Sequence, residues 1–297
     1  MSKSIKKLRD DLIILNTKIQ DLATNLQGFY QKYFENLTPI VNNQLILATY
    51  QICTQKYPDS FLSLSYQQRI NLQTKIKKLD QIFITDLLNN LHLIEVPNNI
   101  IIQDFYKNTI DFFSSLQVIE NEEILREDSV KEMSSLKDEN KNNEEDLLIS
   151  NDLSPENLIK FQLNIEESIE DSLTKISHRT NKYLQEAGIL PNNIPNKILE
   201  MALEAEENTS IFSGAPNLLS LLIEKEDKSE SLDITPIVAI CLRLIDIEFN
   251  NSTLNLIRQK ITDVMKNLES LDSEFQKKNQ QYSILQAEFA WRSSWID

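Results

Sequence analysis

Between Ser4 and Tyr33 the chain reads SIKKLRDDLIILNTKIQDLATNLQGFYQKY, with apolar residues at Ile5, Leu8, Leu12, Leu15, Ile19, Leu22, Leu26, Phe29 and Tyr33. The steps between them run 3, 4, 3, 4 without a miss. That spacing lines every one of these side chains along one stripe of an α-helix. It is the pattern that sends knobs into the holes of a partner in coiled coils and long helical hairpins. A helix from Ser4 toward Phe34 follows, on the order of 45 Å long at 1.5 Å per residue. Pro39 predicts a break or kink, after which IVNNQLILATYQICTQKY reads as a second helix ending at Tyr57-Pro58.

The closing stretch mirrors the opening one. Leu254, Ile257, Ile261, Val264, Leu268, Leu271 and Phe275 repeat the 3, 4 alternation, Lys278 interrupts it, and Tyr282, Leu285 and Phe289 resume it. Capped by Asn251 or Ser252, this helix of nearly 40 residues extends roughly 60 Å. Two arrangements hide such stripes. The first and last helices pair antiparallel within one chain, or either forms a homodimeric coiled coil.

The middle is less periodic. SLSYQQRINLQTKIKKLDQIFITDLLNNLHLI predicts a helix with Ser63 or Ser65 as cap and an inward stripe of Leu72, Ile76, Leu79, Phe83 and Leu87. Pro97-Asn98-Asn99 ends it. IIIQDFYKNTIDFFSSLQVI then reads as a shorter aromatic-rich helix, with a brief strand at Ile100–Ile102 as the alternative at its start. Ser154-Pro155-Glu156 starts a further helix, Ser as cap and Pro at the first helical position, and Gly188 stops it. NKILEMALEAEE after Pro195 and SGAPNLLSLLIEKE around Pro216 read as two short helices that either dock on a groove or cover the edge of a core. KSESLD reads as a loop. TPIVAICLRLIDIEF is apolar on all sides at its start and reads as a core helix.

Composition narrows the class to all-α. Of 297 residues only 3 are glycine and 8 proline, too few for the tight turns of a large sheet or a phosphate-cradling loop, while 41% are hydrophobic. The charge is −15, which disfavours nucleic acid and anionic membrane surfaces. Lys75, Lys77 and Lys78, and Lys3, Lys6, Lys7 and Arg9, are the widest basic groupings and read as solvated helix faces. From Glu120 to Glu156 there are 13 acidic and 4 basic residues, a balance of −9, which predicts a disordered linker. The expected organisation is an elongated helical bundle: an N-terminal helical part at 1–119, an acidic linker at 120–153, a short-helix region at 154–225, a loop at 226–233, and a core helix plus long helix at 234–297.

Little in the chain points to chemistry. Cys53 and Cys241 lie far apart in apolar stretches and read as small buried hydrophobes in a reducing compartment. His92 reads as core or rim and His178 as a solvated helix face; neither has a second ligand at metal spacing, so no metal or cofactor is expected. A Cys–His pair assembled in space is the one catalytic arrangement left open. Nucleotide and hydrolase signatures are absent. Glu166, Glu167, Glu170 and Asp171 read as the wet side of an amphipathic helix. With no run of some 20 apolar residues and no leader, the chain reads as soluble and cytoplasmic.

The final turn, AEFAWRSSWID, carries both tryptophans at i, i+4. Trp291 and Trp295 either pack back on the end of the bundle or, with Arg292, anchor a partner protein, since Trp and Arg dominate interface hot spots. YQICTQKYPDSFLSLSYQQRINLQ, ICLRLIDIEF and AEFAWRSSW resemble uncharacterised helical proteins of cyanobacteria. The resemblance implies a bacterial cytoplasmic location and no assigned activity, and it carries over no site residue. The reading that gathers most of these features is a non-enzymatic scaffold or adaptor, bound to a protein partner or to itself through its seams and its tryptophans. An enzyme's regulatory subunit or a peripheral membrane-surface protein is the alternative.

Overall fold

A computed structural model describes residues 3–92, 100–118, 154–191, 215–225 and 233–295. The acidic linker at 120–153, the helix expected after Pro195 and nearly all of the loop at 226–233 lie outside them. Among the described residues the regular structure is helical apart from one two-stranded sheet. It divides into two compact units, one of Met1–Gln31, Ile94–Asn164 and Gln259–Asp297, the other of Lys32–Leu93 and Ile165–Arg258.

The first unit is built on the two seamed helices, α1 (Lys3–Gln51) and α8 (Ser252–Ser293). Asp11 meets Lys278, and the Lys260 ammonium sits 5.7 Å from the centre of the Phe29 ring. Eighteen residues forward on α1 therefore match eighteen back on α8, so the helices pair antiparallel within the chain. Ile5, Leu12 and Tyr282 are buried together, with Leu8, Phe275 and Leu285 packed against them. Helix α5 (Ile100–Val118) is helical from Ile100, which settles the strand alternative there, and buries Phe105, Thr109 and Phe113 at i, i+4, i+8. The Phe105 ring lies 5.9 Å from Tyr30 and 5.7 Å from Phe161. The buried Gln162 amide donates to the Tyr30 hydroxyl at 3.1 Å.

The seam of α1 differs from the strict alternation in one respect. Its buried positions run Leu12, Leu15, Ile19, Ala23, Leu26, Tyr30, Tyr33, Leu37, Val41, Leu45, Ala48 and Ile52, a step of about 3.6 residues. Leu22 and Phe29 are only half-buried. An ordinary helix carries its inward face ahead of a 3.5-residue repeat, so Ala23 and Tyr30 take their places.

Pro39 does not break α1, which runs through it to Gln51. An interior proline costs about 3 kcal/mol, but it is exposed here, and fully buried Phe34, Leu37, Val41 and Leu45 flank it. A π-helical turn, Ile52–Lys56, ends the helix. Pro58 then opens α2 (Pro58–Ser63), and Ser65 caps α3 (Tyr66–Lys77) through a full capping box with Gln68. The chain turns at Lys78 into α4 (Leu79–His92), and Leu72, Ile76, Leu79, Phe83 and Leu87 are all buried as expected. Helix α6 (Pro155–Glu186) starts on the Ser154 hydroxyl, which accepts from the Asn157 N–H at 3.1 Å, and stops at Gly188 with φ +75°. It runs for 32 residues between the start and the stop that the sequence marks.

The sequence reading fails at the next two segments. SGAPNLLSLLIEKE and TPIVAICLRLIDIEF are not a short helix and a core helix but chiefly a β-ribbon, β1 (Leu218–Lys225) antiparallel to β2 (Asp233–Ile240), followed by the short α7 (Leu244–Phe249). Short apolar runs fit a buried strand as well as a buried helix, and β-branched Ile, Thr and Val tip the balance. Asn217, with φ 60°, makes the turn into β1. Helices supply what a third strand would. The Tyr57 hydroxyl accepts from Val238 N–H at 3.0 Å, and Asn181 both accepts from Ile240 N–H at 2.9 Å and donates to its carbonyl at 2.8 Å. The Ser177 hydroxyl accepts from Leu242 N–H at 2.9 Å. Pro236 shares that outward side of β2, so its missing N–H costs no bond to β1.

Candidate functional site

At the far end of α8 the stripe gives way to water. Leu254, Ile257, Ile261, Val264 and Leu268 are buried, Leu271 and Phe275 half-buried, and Tyr282 is the last buried member. Ile284, Phe289, Trp291 and Trp295 are exposed, the two tryptophans by 65% and 71%. The indoles lie 5.5 Å apart at 45°, sharing a face across the last helical turn. Arg292 reaches Glu288 at 3.7 Å, a solvated i, i+4 pair. The tryptophans therefore do not pack back on the described helices of the first unit; the two indoles stand together in solvent, with Arg292 and Phe289 exposed on the same terminal turns.

A second grouping was not legible from sequence. Arg258 donates from Nη1 to Glu166 at 2.6 Å, from Nε to Glu248 at 2.7 Å and from Nη2 to the Tyr33 hydroxyl at 3.0 Å. Tyr33 in turn donates to Glu248 at 2.6 Å. Glu166, expected on the wet side of its helix, is thus a correction: its side chain is only 18% exposed, while Glu167, Glu170 and Asp171 are exposed as read. Burial raises the Tyr33 phenol well above its ordinary value, the Arg258 charge opposing. Burial alone would lower the Arg258 guanidinium, but the Glu166 hydrogen bond and the surrounding negative charge outweigh it. Near neutrality Tyr33 is therefore uncharged and Arg258 charged, and the cluster clamps α1, α6, α7 and α8 inside the second unit.

Cys53 and Cys241 are buried and form no disulfide. Cys53 lines an apolar cleft of about 430 Å³ together with Ile46, Tyr50, Phe61, Leu72 and Ile76. Burial pushes its thiol up to about 11, so it stays protonated near neutrality and is a poor nucleophile. Among the described residues no histidine lines that cleft. His178 is half-buried rather than on a solvated face, and the side chain of His92 lies outside what is described. Among the described residues no group of three His, Cys, Asp or Glu is placed to hold a metal ion, and no helix is long and apolar enough to cross a membrane.

The geometry thus offers an exposed aromatic turn, a buried ionic clamp and an apolar cleft. Comparison with known protein families, curated proteins and solved structures returns no match.

Proposed function

We propose that this chain is a non-enzymatic, cytoplasmic helical scaffold or adaptor that holds a partner protein through its terminal aromatic turn. The observation that carries the reading is the exposure of Trp291 and Trp295 on one face of the terminal turns, where Arg292 and Phe289 are exposed as well. Two exposed indoles are costly to leave in water and are the residue type on which interface energy concentrates. The seams are a weaker candidate for a partner, because Ile5, Leu8 and Leu12 already pack on α8 of the same chain. The resemblance to helical proteins of cyanobacteria agrees with the proposed compartment.

The test compares the full chain with Trp291→Ala/Trp295→Ala in affinity capture from native lysate. A specific partner should be retained by the first and lost by the second, with circular dichroism unchanged because both side chains are solvated. Equal capture by the two would overturn the reading. Co-sedimentation with lipid vesicles that disappears in the same variant would replace it with the membrane-surface alternative.

A further inference from the structure

We propose that the cleft between the end of α1 and α3 binds a single-chain, medium-length carboxylic acid, alkyl tail inward and carboxylate on the α3 edge. The inference is independent of the partner role of the aromatic turn. The cleft lies wholly within the second unit, and its volume of about 430 Å³ falls in the ~300–1,000 Å³ range of small-molecule sites.

Apart from the Tyr50 phenol at its exposed mouth, the α1 wall has little that is polar to donate. Thr49 and Thr54 both line the cleft, but each hydroxyl gives its proton to its own helix, to the Leu45 and Tyr50 carbonyls, both at 2.8 Å. The Cys53 thiol is protonated and buried. What remains is aliphatic and aromatic surface, with Ile46 and Tyr50 left 39% and 58% exposed at the mouth. Such a wall suits an alkyl chain and rejects a polar solute.

The opposite edge is different. Gln73 and Lys77 stand four residues apart on α3, so one helical edge presents an amide and an ammonium to the same cleft. Lys75 pairs with Glu186 at 3.5 Å, whereas Lys77 makes no ion pair among the described residues. Helix α3 carries Arg69, Lys75 and Lys77 and no acidic residue, in a chain of net charge −15. One cation and one amide donor match one carboxylate, which accepts from both.

The backbone adds an independent observation. Cys53 and Thr54 sit on the π-helical turn Ile52–Lys56. Such turns are rare and recur at functional sites, where the wider turn re-aims side chains. From Ile46 to Thr54 the wall runs eight residues, about 12 Å of helix, which limits the length of tail it can cover.

The test titrates the full chain, by calorimetry, with sodium hexanoate, octanoate, decanoate and dodecanoate and with 1-decanol. Decanoate should bind saturably at one site, and affinity should rise about fourfold per methylene until the cleft is full, then level off. Lys77→Met should weaken decanoate about tenfold and leave 1-decanol unchanged. Thr54→Trp, at an exposed position on the wall, should block both. If that variant does not fold, Ile46→Ser should weaken decanoate several-fold in its place. Absence of saturable binding, affinity independent of chain length, or decanoate binding indifferent to Lys77→Met would each overturn the proposal.

Discussion

Helix α8 carries one basic residue inside its stripe, Lys278, and another beside it, Arg258, and they settle in opposite ways. In the first unit Lys278 reaches Asp11 at 2.7 Å, with side chains 25% and 32% exposed. In the second Arg258 is held by three partners at once, two carboxylates and a fully buried tyrosine. A flexible ammonium at a wet helix edge gains little from Asp11, or from Glu274 at 3.7 Å on its own helix, because water competes. A planar guanidinium with five donors fits a fixed polar cage and leaves uncompensated charge behind when removed. The first unit is therefore closed by its apolar stripe, with charge at the margin. In the second, charge and hydrogen bonds are part of the closure.

The largest test strikes the apolar closure. Leu12→Asp/Ile19→Asp places two carboxylates at positions exposed by 1% and 0%. The cost should exceed about 5 kcal/mol and the antiparallel pairing should be lost, read as a fall in helical circular dichroism and a changed sedimentation rate. Unchanged helicity and sedimentation in this variant would mean that the stripe does not hold the pair together.

Next in size is the ionic clamp. Arg258→Ala leaves Glu166 and Glu248, 18% and 15% exposed, without a counter-charge, and should cost about 3–5 kcal/mol in chemical denaturation. Arg258→Met with Glu166→Gln and Glu248→Gln should recover much of that loss, since the penalty lies in the orphaned charges rather than in the missing bonds. If the single and triple variants are equally unstable, the cluster acts through packing.

Smaller again is Asn181→Ala, which strips both the N–H and the carbonyl of Ile240 of their side-chain partner. Each buried group left unsatisfied costs about 1–3 kcal/mol, read as a lowered denaturation midpoint. Amide exchange of Ile240 should quicken more than that of α1 residues in the same unit. Uniform quickening would indicate global destabilisation instead of a released strand edge.

These tests also mark what could be read from the chain. The stripes of α1 and α8 were legible because the period of an amphipathic helix survives in sequence whatever it packs against. The same rule located the stripe from Leu72 to Leu87, and Ser65, Ser154, Asn251 and Gly188 bound their helices as local chemistry dictates. The passage of α1 through Pro39 was not legible, because a local penalty was outweighed by packing of residues distant in sequence. Nor was the β-ribbon, whose second strand is completed by Tyr57 and Asn181 from segments far along the chain. Glu166 looked like its neighbours in NIEESIEDS; only Arg258, 92 positions later, distinguishes it. The tryptophans stood out as residues, but whether they face water is a property of the folded chain.

The smallest effect should come from Asp11→Asn, and its dependence on pH identifies it. The hydrogen bond from Lys278 holds the Asp11 carboxyl below its usual value, burial opposing weakly, and the same bond holds the Lys278 ammonium above its own. A lowered carboxyl stabilises the fold above its unfolded-state value and loses that contribution as pH falls through the folded one. A raised ammonium stabilises the fold below its unfolded-state value and loses that contribution as pH rises through the folded one. The pair thus works between about pH 4 and pH 10 and fades at both ends. The denaturation midpoints of wild type and Asp11→Asn should differ slightly at pH 7 in low salt, converge at about pH 2, and converge again in ~1 M salt at pH 7. A gap that survives both acid and salt would mean that Asp11 contributes through packing, and the contrast between a wet charge pair and a buried clamp on the same helix would lose its first half.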